Sequence, residues 1–414
     1  MTSEDRPAGH APAASGGSGK PDGVARLLTL WTIVFVSMMG FGITIVPFPI
    51  VAEQFGASPF WITWGGTGTF ALAQTLATPL LGKLSDRVGR KPVLIIGSVL
   101  AIIAYLGTGY AANFTQLLAA RAVAGIASGY LAAAFAYVAD ISTPATLARR
   151  MGLLGSAFGI GFAAGPVLGG ILGQTADGSA TLLAPCLFAA ALSTLGLLGT
   201  IFAIRESLPK EARQAQHAER AAAEDLAPKV RNALLGVGAA MLAISSGIAA
   251  LQSLYPIWGR DVFQLPLAMI GAHFGVLSAC TALSQIVLIG PAVRRLGEHG
   301  VMLLALIGAT IGLLVYALAP ALPLVWVADL FCGLSLGLFG PAATSVVSEL
   351  APPTRRGAIL GLFNATGAAG RVFGPAYAGA AYAMARSAPF FTAAVLIAVT
   401  SALVLGRRRR AHQA

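Results

Sequence analysis

Charge is what this sequence has least of. Asp, Glu, Lys and Arg make up 10% of its 414 residues, where a soluble chain carries about 25%. So little charge cannot coat two or three water-soluble domains, which excludes an ordinary cytosolic enzyme. Acid is the scarcer sign: 16 Asp and Glu stand against 27 Lys and Arg, a net charge of +11. Cysteine is nearly missing. Cys186, Cys280 and Cys332 all lie in apolar runs, an odd number without metal-ligand spacing, and read as small buried hydrophobes rather than a disulfide framework or a metal centre. There is no His-Glu-x-x-His and no Ser/His/Asp set in a hydrolytic context. Gly17-Ser18-Gly19-Lys20 only superficially resembles a phosphate-binding loop. Ala14 stands where the first glycine belongs, Pro21 follows the lysine, and no strand precedes it. An ATP-driven pump and a membrane enzyme are left without a site, and no cofactor or metal is expected.

Apolar length is what is abundant. Hydrophobic residues make up 56% of the chain, and the mean hydropathy is +0.78. Twelve apolar runs fall at roughly 27–51, 61–82, 92–112, 115–139, 152–174, 181–204, 232–257, 268–291, 300–319, 322–347, 357–384 and 388–406. Each is long enough to cross a hydrocarbon core of about 30 Å as a helix. The 50 glycines suit this, because small residues let membrane helices approach closely. Residues 1–26 read as a disordered cytoplasmic tail, 205–231 as a charged cytoplasmic linker with a short surface helix, and 407–414 as a basic cytoplasmic tail. Between them lie an N-terminal bundle, 27–204, and a C-terminal bundle, 232–406.

The positive charges test the count. Lys and Arg gather in short cytoplasmic loops. With both termini inside, all but four of the 27 fall in inner segments; Arg260 and Arg386 lie in outer loops, and Arg121 and Arg371 lie inside runs. One miscounted helix would scramble this alternation. The basic residues are therefore topology signals for a multi-pass protein of the plasma (inner) membrane, and nucleic acid is not a partner. Trp61, Trp64, Trp258 and Trp326 fall near outer span ends, as an aromatic belt does. Glu53 and Asp261 read as wet outer-loop acids.

The halves repeat at an offset of about 208 residues. Gly82 and Gly89 match Gly290 and Gly297; Arg121, Gly125 and Gly129 match Asp329, Gly333 and Gly337; Glu53 and Phe55 match Asp261 and Phe263; Pro47 and Pro166 match Pro256 and Pro375 one residue further on. Duplicated six-helix halves follow, related by an axis along the membrane normal, with the substrate site near the midplane between them.

Three motifs carry the chemistry. The loop after span two reads Gly82-Lys83-Leu84-Ser85-Asp86-Arg87-Val88-Gly89-Arg90-Lys91. It resembles the loop signature of the major facilitator superfamily, G-x-L-x-D-R-x-G-R-K. That resemblance implies a gate: Asp86 facing the N-terminal end of span eleven near Arg355, Arg356 and Gly357, where the helix dipole favours a carboxylate, and Arg90 pairing with Asp140. In span four, Arg121 shares a helix face with Gly125 and Gly129, similar to the family's R-x-x-x-G motif, whose arginine is linked there to proton movement. In span five, Gly161, Gly165, Pro166, Gly169 and Gly170 resemble the antiporter motif G-x-x-x-G-P-x-x-G-G, found mainly in exporters of drugs coupled to protons. The chain is similar to the tetracycline-exporter branch over nearly everything after residue 26, and departs from it in span one, where Ser37-Met38-Met39-Gly40-Phe41-Gly42 holds no acid.

A charged residue inside a span is costly and marks function by default. Asp329, in span ten at the repeat position of Arg121, is the main acid available for proton coupling. Arg121 is expected to face it across the cavity, with Arg371 as a competing partner; His273 is a further titratable candidate, and a packing residue is the plainer reading of it. Gln74, Tyr130, Tyr137, Gln252, Gln285 and Asn364 are candidate cavity residues that helix packing explains equally well. The fold expected is an all-α membrane protein of twelve transmembrane helices in two pseudo-symmetric six-helix bundles, the major facilitator fold. The function expected is export of a drug-like or hydrophobic small molecule in exchange for protons, by a monomer. Proton-coupled import of a peptide, sugar or organic acid on the same scaffold is the alternative, and a non-transporting sensor a distant third.

Overall fold

The computed structural model describes residues 21–207, 228–352 and 355–413. The expected tail through residue 20 and most of the linker, with its surface helix, lie outside the described residues. The apolar runs fold as helical rods. Span one is Pro21–Ile45 continued by Pro47–Gln54. Span two is Pro59–Thr63, a wider-wound π segment Trp64–Gly68, and Thr69–Val88. Spans three to six are Arg90–Gly109, Phe114–Ser128 with Leu131–Asp140, Pro144–Leu172 and Leu183–Ala203. Span seven is Pro228–Phe263. Span eight is Leu267–Leu283 with a π segment Ser284–Leu288 and the first part of Ile289–Leu318, and span nine is the remainder after Gly297. Spans ten to twelve are Leu322–Leu350, Arg356–Met384 and Ala388–Gln413. The last helix runs on through Arg407–Arg410, where the sequence reads as a tail. Among the described residues, eight stretches are long and apolar enough to cross a membrane by length and composition.

Local chemistry sets the breaks. The Asn113 side chain accepts a hydrogen bond from the Gln116 N–H at 2.9 Å and caps span four. Thr143 and Thr146 form a reciprocal cap on span five, with Pro144 at its first turn. In the turn between spans five and six, hydrogen bonds from Thr175 and Ser179 hold the Asp177 carboxyl below the usual carboxylate range. Gly89 (φ 109°) separates spans two and three, and Gly297 (φ 67°) separates eight and nine. Gly56 (φ 75°) and Gln264 (φ 55°) turn the chain after spans one and seven. Each pair is 208 residues apart, so the repeat extends to the left-handed backbone positions.

Packing repeats too. Span one lies on spans five and six, two on four, three on four and six; seven lies on eleven and twelve, eight on ten, nine on ten and twelve. The halves meet chiefly through two equivalent contacts, five on eight and eleven on two, with span seven also touching spans one and two. Glycine makes the close approaches. A Cβ on Gly165 would lie 2.6 Å from Met39 O of span one, and one on Gly370 would lie 2.6 Å from Leu242 O of span seven; Gly161 and Gly169 press on Phe35 O and Ile43 O in the same way. Pro166 lies against Gly42, at a point where proline removes a backbone donor. Gly161, Gly165 and Gly169 of the motif thus pack span five onto span one.

Replacing Gly297 with alanine is expected to lower stability by about 1–2 kcal/mol, because only the positive φ is penalised; a Cβ there meets nothing within 4 Å. Gly82 also faces open space but is helical, so Gly82→Ala is expected to be neutral or slightly stabilising. Thermal unfolding of the purified variants checks this, and equal losses would contradict it.

Candidate functional site

Between the halves lies a cavity of about 450 Å³, within the range of small-molecule sites. Met38 and Phe41 of span one, Phe70 and Gln74 of span two, and Phe158 and Phe162 of span five form one wall. Spans seven, eight, ten and eleven form the other, including Ser245, Gln252, Thr281, Gln285, Leu336 and Arg371. The cavity opens on the face bearing the Lys/Arg-rich loops. On that side a Cβ at Gly82, Gly152, Gly155, Gly159, Gly340 or Gly361 would meet nothing within 4 Å.

The opposite face is shut by backbone-to-backbone contact. A Cβ on Gly271 would lie 2.6 Å from Pro166 O, and Gly170 presses on Leu267 O. At the repeat-related place, Thr63 Oγ1 donates to Pro375 O at 2.9 Å and Gly379 presses on Pro59 O and Phe60. Glu53 and Asp261 are not simply wet acids. Glu53 of the first half pairs with Arg260 of the second at 2.6 Å, Arg260 also holds Asp261 at 2.8 Å, and Tyr382 O–H donates to Asp261 at 2.9 Å.

The expected Arg121–Asp329 pair is not formed, because each charge is satisfied within its own half. Arg121, 2% exposed, donates to Thr44 Oγ1 at 2.7 Å and to Gly66 O at 3.1 Å. The rings of Phe41, Phe48 and Phe70 surround its guanidinium at 5.3–5.8 Å, a cation–π cage. Asp329, 1% exposed, lies 2.5 Å from His273 Nδ1 and accepts a hydrogen bond from the Tyr316 hydroxyl. His273 stacks on Trp326 with ring centres 3.6 Å apart and lies 5.5 Å from the Tyr255 ring. Arg371 does not compete for Asp329 and points instead into the cavity.

On the basic face, Arg90 binds Asp86 at 2.6 Å and Asp140 at 3.1 Å. The Asp140 contact is the one expected. Asp86, expected to face span eleven, turns to Arg90 because the two halves stand apart here. Lys91 Nζ donates to Ile201 O at 2.8 Å. Glu206 accepts the backbone N–H of Arg90 and of Lys91 at 2.8 and 3.1 Å and caps span three. Arg87 sits in the last turn of span two.

Gln74, Gln252 and Gln285 line the cavity. Tyr130 and Tyr137 are buried packing residues; Tyr137 O–H donates to Arg205 O at 2.7 Å. Asn364 is exposed and His273 is buried with Asp329; neither is among the cavity residues. Trp258, 3% exposed, belongs to a buried aromatic cluster with Tyr255 and Tyr316 rather than to a belt. Sequence reasoning missed Tyr316, Trp326, Thr44 and Glu206. A signal existed for Tyr316: only three residues separate the helices carrying it and Asp329, so the hairpin keeps their side chains within reach.

The family model described as Major Facilitator Superfamily matches residues 30–375 and 263–414. The chain is 33% identical over 324 residues to the class C tetracycline resistance protein of Escherichia coli, covering 77% of this chain and 79% of that one. It is 24% identical over 394 residues to multidrug resistance protein 2 of Bacillus subtilis, covering 94% and 96%. The crystal structure of a bacterial homologue of the human lysosomal transporter Spinster, in an inward-facing and unoccupied conformation, shares its fold with a TM-score of 0.74 at 16% identity, covering 95% of this chain and 98% of that one.

The Glu53–Arg260 pair is half-exposed, so its loss is worth no more than about 1 kcal/mol. Glu53→Gln is therefore expected to raise the population open at that face up to about fivefold. Pulsed EPR between spin labels at Gly56 and Gln264 reads this as a growing long-distance component; an unchanged distribution would show that the pair does not hold this face shut.

Proposed function

The chain belongs to the Major Facilitator Superfamily, and from that premise we propose that it exports a drug-like or hydrophobic small molecule in exchange for protons by alternating access. It is a multi-pass membrane transporter, and both its sequence relatives named above carry resistance in their names. We take the basic face as cytoplasmic by the positive-inside rule, with both termini on that side of the plasma membrane. The structure is then an inward-open state, loaded from the cytoplasm. The cavity is complete within one chain, so a monomer suffices.

The observation that carries proton coupling is the buried cluster of His273, Asp329 and Tyr316. It sits in the outer half of its bundle: His273 is six residues into span eight and Asp329 seven into span ten, roughly 10 Å from the outer ends. Leu277 and Thr281, one and two turns below His273 on the same face, line the cavity. The cluster therefore lies between the outer seal and the cargo cavity, where a proton arriving from outside would be held while the cavity faces out. An imidazole and a carboxylate in contact share a proton readily, and the Tyr316 hydroxyl supplies a further donor. Arg121, caged by three rings and hydrogen-bonded to Thr44 and Gly66, serves as a fixed charge that ties spans one, two and four together.

In inverted membrane vesicles acidified inside by respiration, a transported compound is expected to collapse the pH gradient as protons leave with cargo entering. Asp329→Asn is expected to reduce that collapse at least about tenfold, a loss of the scale seen when one proton-transfer group is removed, with the protein still present in the membrane. Coupled fluxes in the same direction would overturn export in favour of import, and a normal response in the variant would remove Asp329 from the mechanism.

A further inference from the structure

The cargo cavity holds one charged side chain among its described lining residues, Arg371, and no acid. Arg371 is the sixteenth residue of span eleven, about 22 Å along it and so near mid-membrane. Its neighbours Gly370 and Gly374 face span seven at Leu242 O and Ser246 O, which directs Arg371 away from that contact and into the cavity. It has no hydrogen-bond or ion-pair partner among the described residues, unlike Arg121, which donates to Thr44 and Gly66. A guanidinium at this depth is costly to keep, and no hydrogen bond or ion pair from the described residues offsets it. It is not a topology signal, since it lies far from either face, nor packing filler, since it is exposed to the cavity.

The opposite wall differs in kind. The repeat that matches Pro166 with Pro375 matches Phe162 with Arg371. All four phenylalanines of the cavity, Phe41, Phe70, Phe158 and Phe162, come from the first six helices. The second six supply Arg371 and five further polar lining residues, Ser245, Gln252, Ser278, Thr281 and Gln285, against Thr67 and Gln74 from the first six. One wall thus suits an aromatic or apolar body and the other a head group that accepts hydrogen bonds and bears negative charge. From this we infer that the cargo is an amphipathic organic anion, its carboxylate, sulfonate or phosphate held by Arg371 and its rings laid on the phenylalanine wall. An arginine fork matches such oxyanions bidentately, and the cation disfavours positively charged drugs by the same field. This rests on the reading of the cavity as the cargo site, but not on the direction of transport or on its coupling.

Binding to the purified full-length chain, measured by equilibrium dialysis, tests it with three matched probes: naphthalene-1-sulfonate, naphthalene-1-sulfonamide and 1-naphthyltrimethylammonium. The sulfonate is expected to bind at least about tenfold more tightly than the neutral sulfonamide, the span of one charge-assisted hydrogen bond, and the ammonium not at all. Arg371→Gln is expected to erase the sulfonate's advantage over the sulfonamide with the melting temperature unchanged; Arg371→Lys is expected to retain part of it. Failure of the sulfonate to bind, equal binding of the ammonium, or an unaltered preference in Arg371→Gln would overturn the assignment. An importer would give the same binding, and loss of proton coupling in a vesicle assay would leave this result untouched.

Discussion

A charge inside an apolar slab must be neutralised, hydrated or hydrogen-bonded, and that constraint orders this molecule. Arg121 meets it with a hydroxyl, a carbonyl and three aromatic faces. Asp329 meets it with an imidazole and a phenol. The two occupy equivalent places in the repeat with opposite sign, yet each is satisfied inside its own half. Had they paired across the interface, every opening of the cavity would have separated two desolvated charges, a cost of several kcal/mol per ion. Solving the problem locally leaves the halves free to move. Among the described in-span charges, Arg371 meets the constraint through the cavity it faces, which is the ground for reading it as a cargo residue.

The seal between the halves follows the same logic. It is built of glycine and proline backbone in contact, Gly170 and Gly271 against span eight and span five, Thr63 and Gly379 between spans two and eleven. Such contacts depend on shape and are made or lost together. The ion pair across the seal, Glu53–Arg260, is half-exposed and weak. A strong buried bridge there would fix one state; a shallow one trims an equilibrium.

Much of this was legible in the sequence because the bilayer leaves few options. The helical runs, the repeat and the glycine ladder follow from patterns that period and offset expose, and the Arg90–Asp140 contact from the resemblance carried by the loop after span two. The partners of Arg121 and Asp329 did not. Thr44, His273 and Tyr316 sit on spans whose rotation about their own axes no hydrophobic period records when every face is apolar. The position of Asp86 escaped for another reason: its neighbour depends on which face is open, and a sequence describes all states at once. Trp258 misled because its place near a span end suits a belt, whereas packing against Tyr255, Tyr316 and Phe390 draws it inward.

The open side shows how the other state is built. Gly152, Gly155 and Gly159 lie on a different face of span five from Gly161, Gly165 and Gly169, which pack on span one, and their Cβ positions meet empty space. Span eight, which meets span five at the outer seal, exposes Leu283 and Ile286 on the basic side. A glycine strip beside bulky apolar residues is the surface that close helix packing requires. Closing spans five and eight there would exchange one glycine-lined contact for another of similar kind, so neither state need lie far below the other. Small increments would then decide the balance, and under the proposed function these are a proton on the Asp329 cluster, the weak Glu53–Arg260 pair and cargo bound at Arg371.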